Sequence, residues 1–99
     1  MQMLAPVAKH DGEVRAIQPT WHCLLRFRQR VSLPPGTDEA IAALRTSLER
    51  ADTTRMTPPW VVGRDRGAQM WALDGDLAYP LTRGARGVWT AATCLRRGR

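Results

Sequence analysis

Three polar residues between positions 20 and 31 are spaced for joint chemistry. His22, Arg26 and Arg30 are four residues apart, and residues at that spacing lie along one face of an α-helix. An imidazole accepts or donates a proton near neutral pH, and a guanidinium group binds a phosphate through two hydrogen bonds. Such a row suits proton transfer beside an anion, which makes nucleic acid the first substrate class to consider.

The residues between these three predict the helix that carries them. At 3.6 residues per turn, the polar row occupies one side of the helical wheel. Thr20 is a suitable N-cap, and Pro19 precedes it. Arg28 falls within the apolar sector, so we expect it to have a supporting structural role. That apolar sector, which is typical of an amphipathic helix packed on a core, consists of Trp21, Cys23, Leu24, Leu25, Phe27 and Val31.

The rest of the chain predicts an α+β fold with two N-terminal helices packed on an antiparallel meander of three to four strands. After a break at Pro34-Pro35-Gly36, a second helix is capped by Thr37 or Asp38 and runs to about Ala51. Asp74-Gly75 is a hairpin signal. The predicted strands, which begin beyond Pro58-Pro59, cover residues 60–62, 69–73, 77–81 and 88–95.

Length and composition favour one small domain, which we predict over residues 18–97. Residues 1–17 are predicted to be a flexible extension, in which residues 13–17 could form an edge strand. The chain has neither a signal-peptide pattern nor an apolar run long enough to cross a bilayer. Cys23 and Cys94 fit no zinc motif, so we expect two free thiols and a reducing cytoplasm.

The charge of the chain favours a polyanionic partner. The formal net charge is +6, from 15 basic and 9 acidic residues, and such an excess attracts nucleic acid without regard to its sequence. Every basic residue except Lys9 is an arginine. This bias could also reflect a GC-rich genome, and a basic surface could simply be solvated.

The two ends of the predicted domain resemble a known family. The run H-x-L-x-R-F-R-x-R-V from His22 to Val31 is similar to the first-helix signature of small bacterial and phage proteins grouped with BrnT-like toxins, within the wider RelE and barnase-like ribonuclease superfamily. The run Thr93-Cys94-Leu95-Arg96 resembles the final strand of that family, which carries a threonine. The resemblance implies an active-site row of His22, Arg26, Arg30 and Thr93.

This row suggests a metal-independent endoribonuclease, or a toxin-like relative, acting on mRNA with or without the ribosome. Cleavage through the ribose 2′-hydroxyl needs a base, an acid and positive charge at the phosphate. His22 could be the base or the acid, Arg26 and Arg30 could hold the phosphate, and Tyr79 or Thr93 could orient it. A second acid-base group is not evident, since His10 lies in the extension and Asp76 follows a turn signal.

Other residues could extend the RNA surface. Arg64, Arg66, Arg83 and Arg86 lie on predicted turns and, with Tyr79, could bind nucleic acid. Three tryptophans could stack on bases, although strand positions more often indicate core residues; they are Trp60, Trp71 and Trp89.

No cofactor or metal is predicted, because the sequence has neither metal-ligand spacing nor a phosphate-binding glycine loop. The toxin interpretation also predicts an acidic, antitoxin-like protein that covers the basic face. The alternative is a non-catalytic basic module that binds nucleic acid or a host or phage protein. In that case His22 is a surface or packing residue, and Arg26 and Arg30 pair with acids elsewhere in the fold, the candidates being Glu49, Asp52 and Asp76.

Overall fold

The computed structural model describes residues 4–31 and 36–98, apart from the side chain of Arg64. Within these ranges helix α1 spans Trp21–Val31 and helix α2 spans Thr37–Arg50. The predicted break at Pro34-Pro35 lies outside the described residues. The strands, in chain order, are β1 Val7–Asp11, β2 Val14–Pro19, β3 Asp52–Thr54, β4 Met70–Asp74, β5 Leu77–Arg83, β6 Val88–Ala91 and β7 Leu95–Arg96.

The strands form one mixed sheet that curls into a nearly closed barrel. The order is β1-β2-β6-β5-β4-β3, and β7 pairs with β5 beyond the end of β6. Strands β2 and β6 run parallel, whereas the other pairs are antiparallel. The α+β class is confirmed, but the predicted antiparallel meander of three to four strands is wrong.

Two additions to the sheet account for this correction. The segment predicted as a flexible extension instead forms the hairpin of β1 and β2 from residue 7 onward, and β2 lies inside the sheet between β1 and β6. The short strand β3 extends the other end of the sheet by pairing with β4. Residues 60–62, which were predicted to be a strand, lie in a loop between β3 and β4.

Lys9 links the two edges of the barrel. The residue is only 6% exposed, and Nζ donates hydrogen bonds to the carbonyl oxygens of Leu48 (3.0 Å), Glu49 (2.7 Å) and Ala51 (2.7 Å). These carbonyls lie at the end of α2, where helical acceptors lack intrahelical donors and a cation is favoured. Because β3 begins directly after α2, this lysine of β1 binds the opposite edge of the sheet.

Helix α1 docks where the last strand is interrupted. The predicted strand 88–95 is interrupted by residues 92–94, which separate β6 from β7. The backbone N–H of Thr20 donates to Ala91 O at 3.1 Å, and its hydroxyl donates to Ala92 O at 3.2 Å. The same hydroxyl accepts from the Cys23 N–H at 3.1 Å, which confirms Thr20 as the N-cap.

Two apolar clusters hold these elements in place. The main core lies between the helices and the sheet, where Leu24, Leu44 and Trp89 are almost fully buried. A smaller cluster of Val61, Trp71 and Ala78 lies under the loop that joins β3 to β4. This second cluster fixes the loop that, as described below, supplies one wall of the candidate site. Neither described helix is long and apolar enough to cross a membrane.

Candidate active site

An open groove of about 440 Å³ runs beside helix α1. We call it the α1 groove; its lining is His22, Arg26, Arg30, Asp65, Thr93 and Leu95. The structure therefore brings together, in one concave surface, all four residues that the sequence placed in an active-site row. That these residues are catalytic stays a prediction.

Helix α1 forms the basic wall of the groove. Cys23, Leu24 and Phe27 are buried against the core. The helix face that carries His22, Arg26 and Arg30 therefore turns toward the groove, and His22 is exposed. Arg26 Nη1 donates to Gln29 Oε1 at 3.1 Å, and Arg30 Nε donates to the carbonyl of Cys94 at 3.4 Å. Both acceptors are neutral, so these bonds orient the guanidinium groups without cancelling their charge.

Thr93 lines the α1 groove because the last strand is interrupted. Its carbonyl accepts a hydrogen bond from the Cys23 thiol at 3.6 Å, and its side chain is partly buried at the groove. A regular strand would place alternate residues on opposite faces. Here the buried residues are Trp89, Ala91 and Cys94, so the alternation of buried and exposed residues is offset by one position at the interruption. Thr93 therefore lies at the groove, and Cys94 lies in the core.

Asp65 supplies a third wall and was not identified from the sequence. It lies in a 3-10 turn over Gly63–Gly67, which is closed by a hydrogen bond from Ala68 N to Asp65 O at 3.2 Å. Arg66 fastens this turn by donating from Nη1 to the carbonyl of Val61 at 2.8 Å. The carboxylate lies 43 residues after His22 and 28 residues before Thr93 in the chain, so no local spacing could have connected it with them.

The two thiols near the groove are structural. Both are free and buried. Burial raises the pKa of Cys94 to about 11, despite the opposing hydrogen bond with Tyr79 and the charge of Arg30. Burial also raises the pKa of Cys23 far above its ordinary value, and the neighbouring Cys94 raises it further. A nucleophilic cysteine needs a thiolate, so neither residue suits that role.

Tyr79 belongs to the core and not to a nucleic-acid surface. Its side chain is fully buried, and its hydroxyl shares a 2.7 Å hydrogen bond with Ser47. Burial raises the pKa of the phenol well above its usual range. The sequence suggested an orienting hydroxyl at Tyr79 or Thr93, and of the two only Thr93 lines the α1 groove.

The predicted turn arginines lie apart from the α1 groove, as far as their side chains are described. Arg83 Nη2 pairs with Glu13 Oε2 at 2.5 Å, and its guanidinium lies 5.3 Å from the ring centre of Trp89. Arg66 is exposed and holds the turn at Val61, and Arg86 is exposed with a φ of 59°. The side chain of Arg64 lies outside the description, so its prediction is not decided.

The two residues weighed as second proton-transfer groups also lie elsewhere. His10 is exposed on β1, and Asp76 lies in the turn between β4 and β5, where its carbonyl accepts from Arg97 N at 2.8 Å. Asp65 is the carboxylate that lines the α1 groove. Among the described residues, no group of three or more His, Cys, Asp or Glu side chains could hold a metal ion.

No protein-family model, curated protein or solved structure matches this chain.

Proposed function

We propose that this protein is an endoribonuclease that cleaves RNA in the α1 groove without a metal ion. The observation that carries the proposal is the convergence of an imidazole, two guanidinium groups, a hydroxyl and a carboxylate on one open surface. The resemblance of His22 to Val31 and of Thr93 to Arg96 to BrnT-like toxins supports the same activity. Proton transfer and phosphate binding can then both come from side chains of the chain itself.

The reaction is an internal transesterification at a phosphodiester. The ribose 2′-oxygen attacks the adjacent phosphorus, a new P–O2′ bond forms, and the P–O5′ bond breaks. The Asp65 carboxylate accepts the proton of the 2′-hydroxyl, and the His22 imidazolium donates a proton to the departing 5′-oxygen. The products are a 2′,3′-cyclic phosphate and a 5′-hydroxyl end.

The remaining residues stabilise the charge that develops on the phosphate. Arg26 and Arg30 each offer paired N–H donors to the non-bridging oxygens. The hydroxyl of Thr93, which also lines the groove, donates to the same group. Because Arg26 and Arg30 are already oriented by Gln29 and by the Cys94 carbonyl, little reorganisation is needed when RNA binds.

The cellular setting is part of the proposal. A net charge of +6 favours RNA, either free mRNA or mRNA on the ribosome, and equally an acidic antitoxin-like protein that would cover the groove. The buried free thiols of Cys23 and Cys94 are compatible with a reducing cytoplasm, where such a protein would act.

Cleavage of a defined single-stranded RNA by the purified protein tests the proposal. We expect His22→Ala to lower kcat about 10²- to 10⁴-fold, the usual contribution of an acid-base group, and Arg26→Ala to lower it as well. The matched control is His10→Ala, which removes an exposed imidazole from β1 and should leave cleavage unchanged. All three variants should melt like the wild type.

The outcomes separate the proposal from its alternative. An RNA with a 2′-deoxyribose at the scissile position should resist cleavage. Full activity of both His22→Ala and Arg26→Ala would contradict the site. A wild type that leaves RNA intact but binds it in a salt-sensitive way would favour the non-catalytic basic module.

A further inference from the structure

The α1 groove continues into a second groove of about 240 Å³. Arg30, Asp65 and Leu95 line both, so the two share a wall and form one surface. The second groove adds Trp60 and Arg96. Arg96 Nη1 donates to the carbonyl of Arg30 at 2.6 Å, which places this arginine at the end of α1.

Trp60 also lines a third, larger groove of about 710 Å³. Its other walls include Met56, Pro58, Pro59 and Arg97. The indole therefore lies between the second and third grooves and is accessible from both. We call the second and third grooves together the Trp60 track.

The position of Trp60 differs from that of the other tryptophans that were candidates for stacking. Trp71 is 0% exposed and Trp89 is 1% exposed, so neither can meet a base. Trp60 is half-buried, with one part packed on the small cluster around Val61. Of these three, only Trp60 combines a fixed position with an open ring surface.

The loop that carries Trp60 is held firmly in place. The Val61 N–H donates to the carbonyl of Pro58 at 3.1 Å and closes a turn around the tryptophan. The buried Trp71 donates from Nε1 to the Thr57 hydroxyl at 3.2 Å. The adjacent Pro58 and Pro59 also restrict the backbone. A platform positioned in this way loses little conformational freedom when a ligand stacks on it.

The charge along the three grooves favours a polyanion. Their lining contains four arginines, Arg26, Arg30, Arg96 and Arg97, against the single carboxylate of Asp65. A basic groove with an aromatic platform is the arrangement that binds single-stranded nucleic acid, because bases stack on the ring while phosphates follow the cations. In a duplex the base faces are already stacked and cannot meet Trp60.

We propose that the Trp60 track binds the single-stranded RNA that flanks the scissile phosphate, with one base stacked on Trp60 and phosphates at Arg96 and Arg97. This rests on the proposed function, because it places the scissile phosphate in the α1 groove. It deepens that function by defining the substrate as unpaired RNA several nucleotides long.

Binding is measured in a His22→Ala background, so that the RNA stays intact, with a fluorescein-labelled single strand of about 12 nucleotides. We expect Trp60→Leu to raise Kd roughly 5- to 150-fold, the range found for loss of a base-stacking aromatic. Trp60→Phe should keep most of the affinity. The matched control is Leu25→Ala, which removes another exposed apolar side chain (44% exposed) outside these grooves. A blunt duplex of the same length should bind more weakly than the single strand.

A second variant tests the cationic part without touching the core. The backbone N–H of Arg97 holds Asp76, so Arg97→Gln keeps that bond and removes only the charge. The slope of the logarithm of the binding constant against the logarithm of the salt concentration should become shallower by about 0.7, the contribution of one phosphate contact to a single strand. Arg15→Gln, on the exposed face of β2, removes the same charge and should not change the slope.

Cleavage assays distinguish failure of this inference from failure of the proposed function. With the otherwise wild-type site, Trp60→Leu should lower kcat/KM for the 12-nucleotide strand and leave cleavage of a dinucleotide unchanged. Unchanged Kd in folded Trp60→Leu, or equal affinity for the duplex, would overturn the track even if the wild type cleaves RNA. If no RNA is cleaved while Trp60→Leu still weakens binding, the result supports RNA binding by the Trp60 track and contradicts the proposed endoribonuclease activity.

Discussion

Two grooves of similar size on this protein hold their charges in different ways. The α1 groove measures about 440 Å³, and a groove of about 460 Å³ lies between the β1–β2 turn and β3. In this 460 Å³ groove, which we call the edge groove, the charged side chains form ion pairs. Lys9 Nζ lies 3.8 Å from Asp11 Oδ2, and Glu13 pairs with Arg55 and Arg83.

The arginines of the α1 groove instead bind neutral oxygens. The same residue types therefore close a sheet in one place and remain available to a ligand in the other. An ion pair neutralises a side chain that could otherwise bind phosphate, so a net charge of +6 does not by itself locate a binding site. The partners of each arginine, charged or neutral, indicate where a binding site can lie.

The largest expected effect compares one carboxylate from each groove. Asp65→Asn should lower RNA cleavage about 10²- to 10⁴-fold, because it removes the proposed base for the 2′-hydroxyl. Asp11→Asn makes the same chemical change in the edge groove and should leave kcat unchanged. Single-turnover cleavage measures both. Equal activity of Asp65→Asn and the wild type would exclude Asp65 as the second proton-transfer group.

Lys9→Met should be the most destabilising of the changes near the edge groove. It keeps the length of the side chain but leaves two buried carbonyls and one partly buried carbonyl without their donor, at a cost of about 3 kcal/mol in the free energy of unfolding. Urea denaturation measures the loss. Cleavage per folded molecule should persist, because Lys9 is remote from the α1 groove; a loss below about 1 kcal/mol would contradict the closing role.

Thr20→Val tests how α1 is held at the interrupted strand. The change removes the hydroxyl that caps the helix and binds Ala92 O, and we expect a loss of about 1–2 kcal/mol. Cys23 and Cys94 should also react faster with iodoacetamide, because their protection depends on the same docking. Thr20→Ser keeps the hydroxyl and should resemble the wild type in both measurements.

Replacement of Asp74 should have the smallest effect on the free energy of unfolding, and this effect should depend on pH. Burial raises its pKa, but hydrogen bonds from Arg50 and Ser47 and the charge of Arg50 outweigh this, so the pKa lies below the ordinary 3.8. A lowered folded-state pKa stabilises the protein above the unfolded value, and this stabilisation is lost as pH falls through the folded-state value. Asp74→Asn should therefore cost about 1 kcal/mol at neutral pH, and the difference should vanish in acid. A difference independent of pH would contradict the ionic contribution.

Local patterns predicted the elements with strong signals of their own. The apolar sector of α1, the Thr20 cap and the Asp74-Gly75 hairpin are all present. Asp11-Gly12 is an equivalent hairpin signal, with Gly12 at a φ of 57°, and it lies within the segment that was predicted to be a flexible extension. Lys9, two residues earlier, is of a type that is rarely buried unless it is paired. Its burial becomes favourable only when the carbonyls at the end of α2 surround it.

Long-range features could not be predicted from local patterns. The parallel pairing of β2 with β6 joins Ile17 to Trp89, and no short segment signals such a partner. The interruption at residues 92–94 likewise depends on α1 binding to Ala91 and Ala92. Asp65 and Trp60 reach the candidate site only because their loop packs over Trp71 and Ala78.

The distance along the chain between the residues that line the α1 groove also determines when the groove can exist during synthesis. His22 is translated early, but Thr93 and Leu95 are added to the chain only after about 70 further residues, and contacts of such sequence separation slow folding. A nascent chain that stops before Leu95 lacks one wall of the α1 groove. If the groove cleaves RNA, each ribosome therefore finishes translating the domain before its product can attack the message that encodes it.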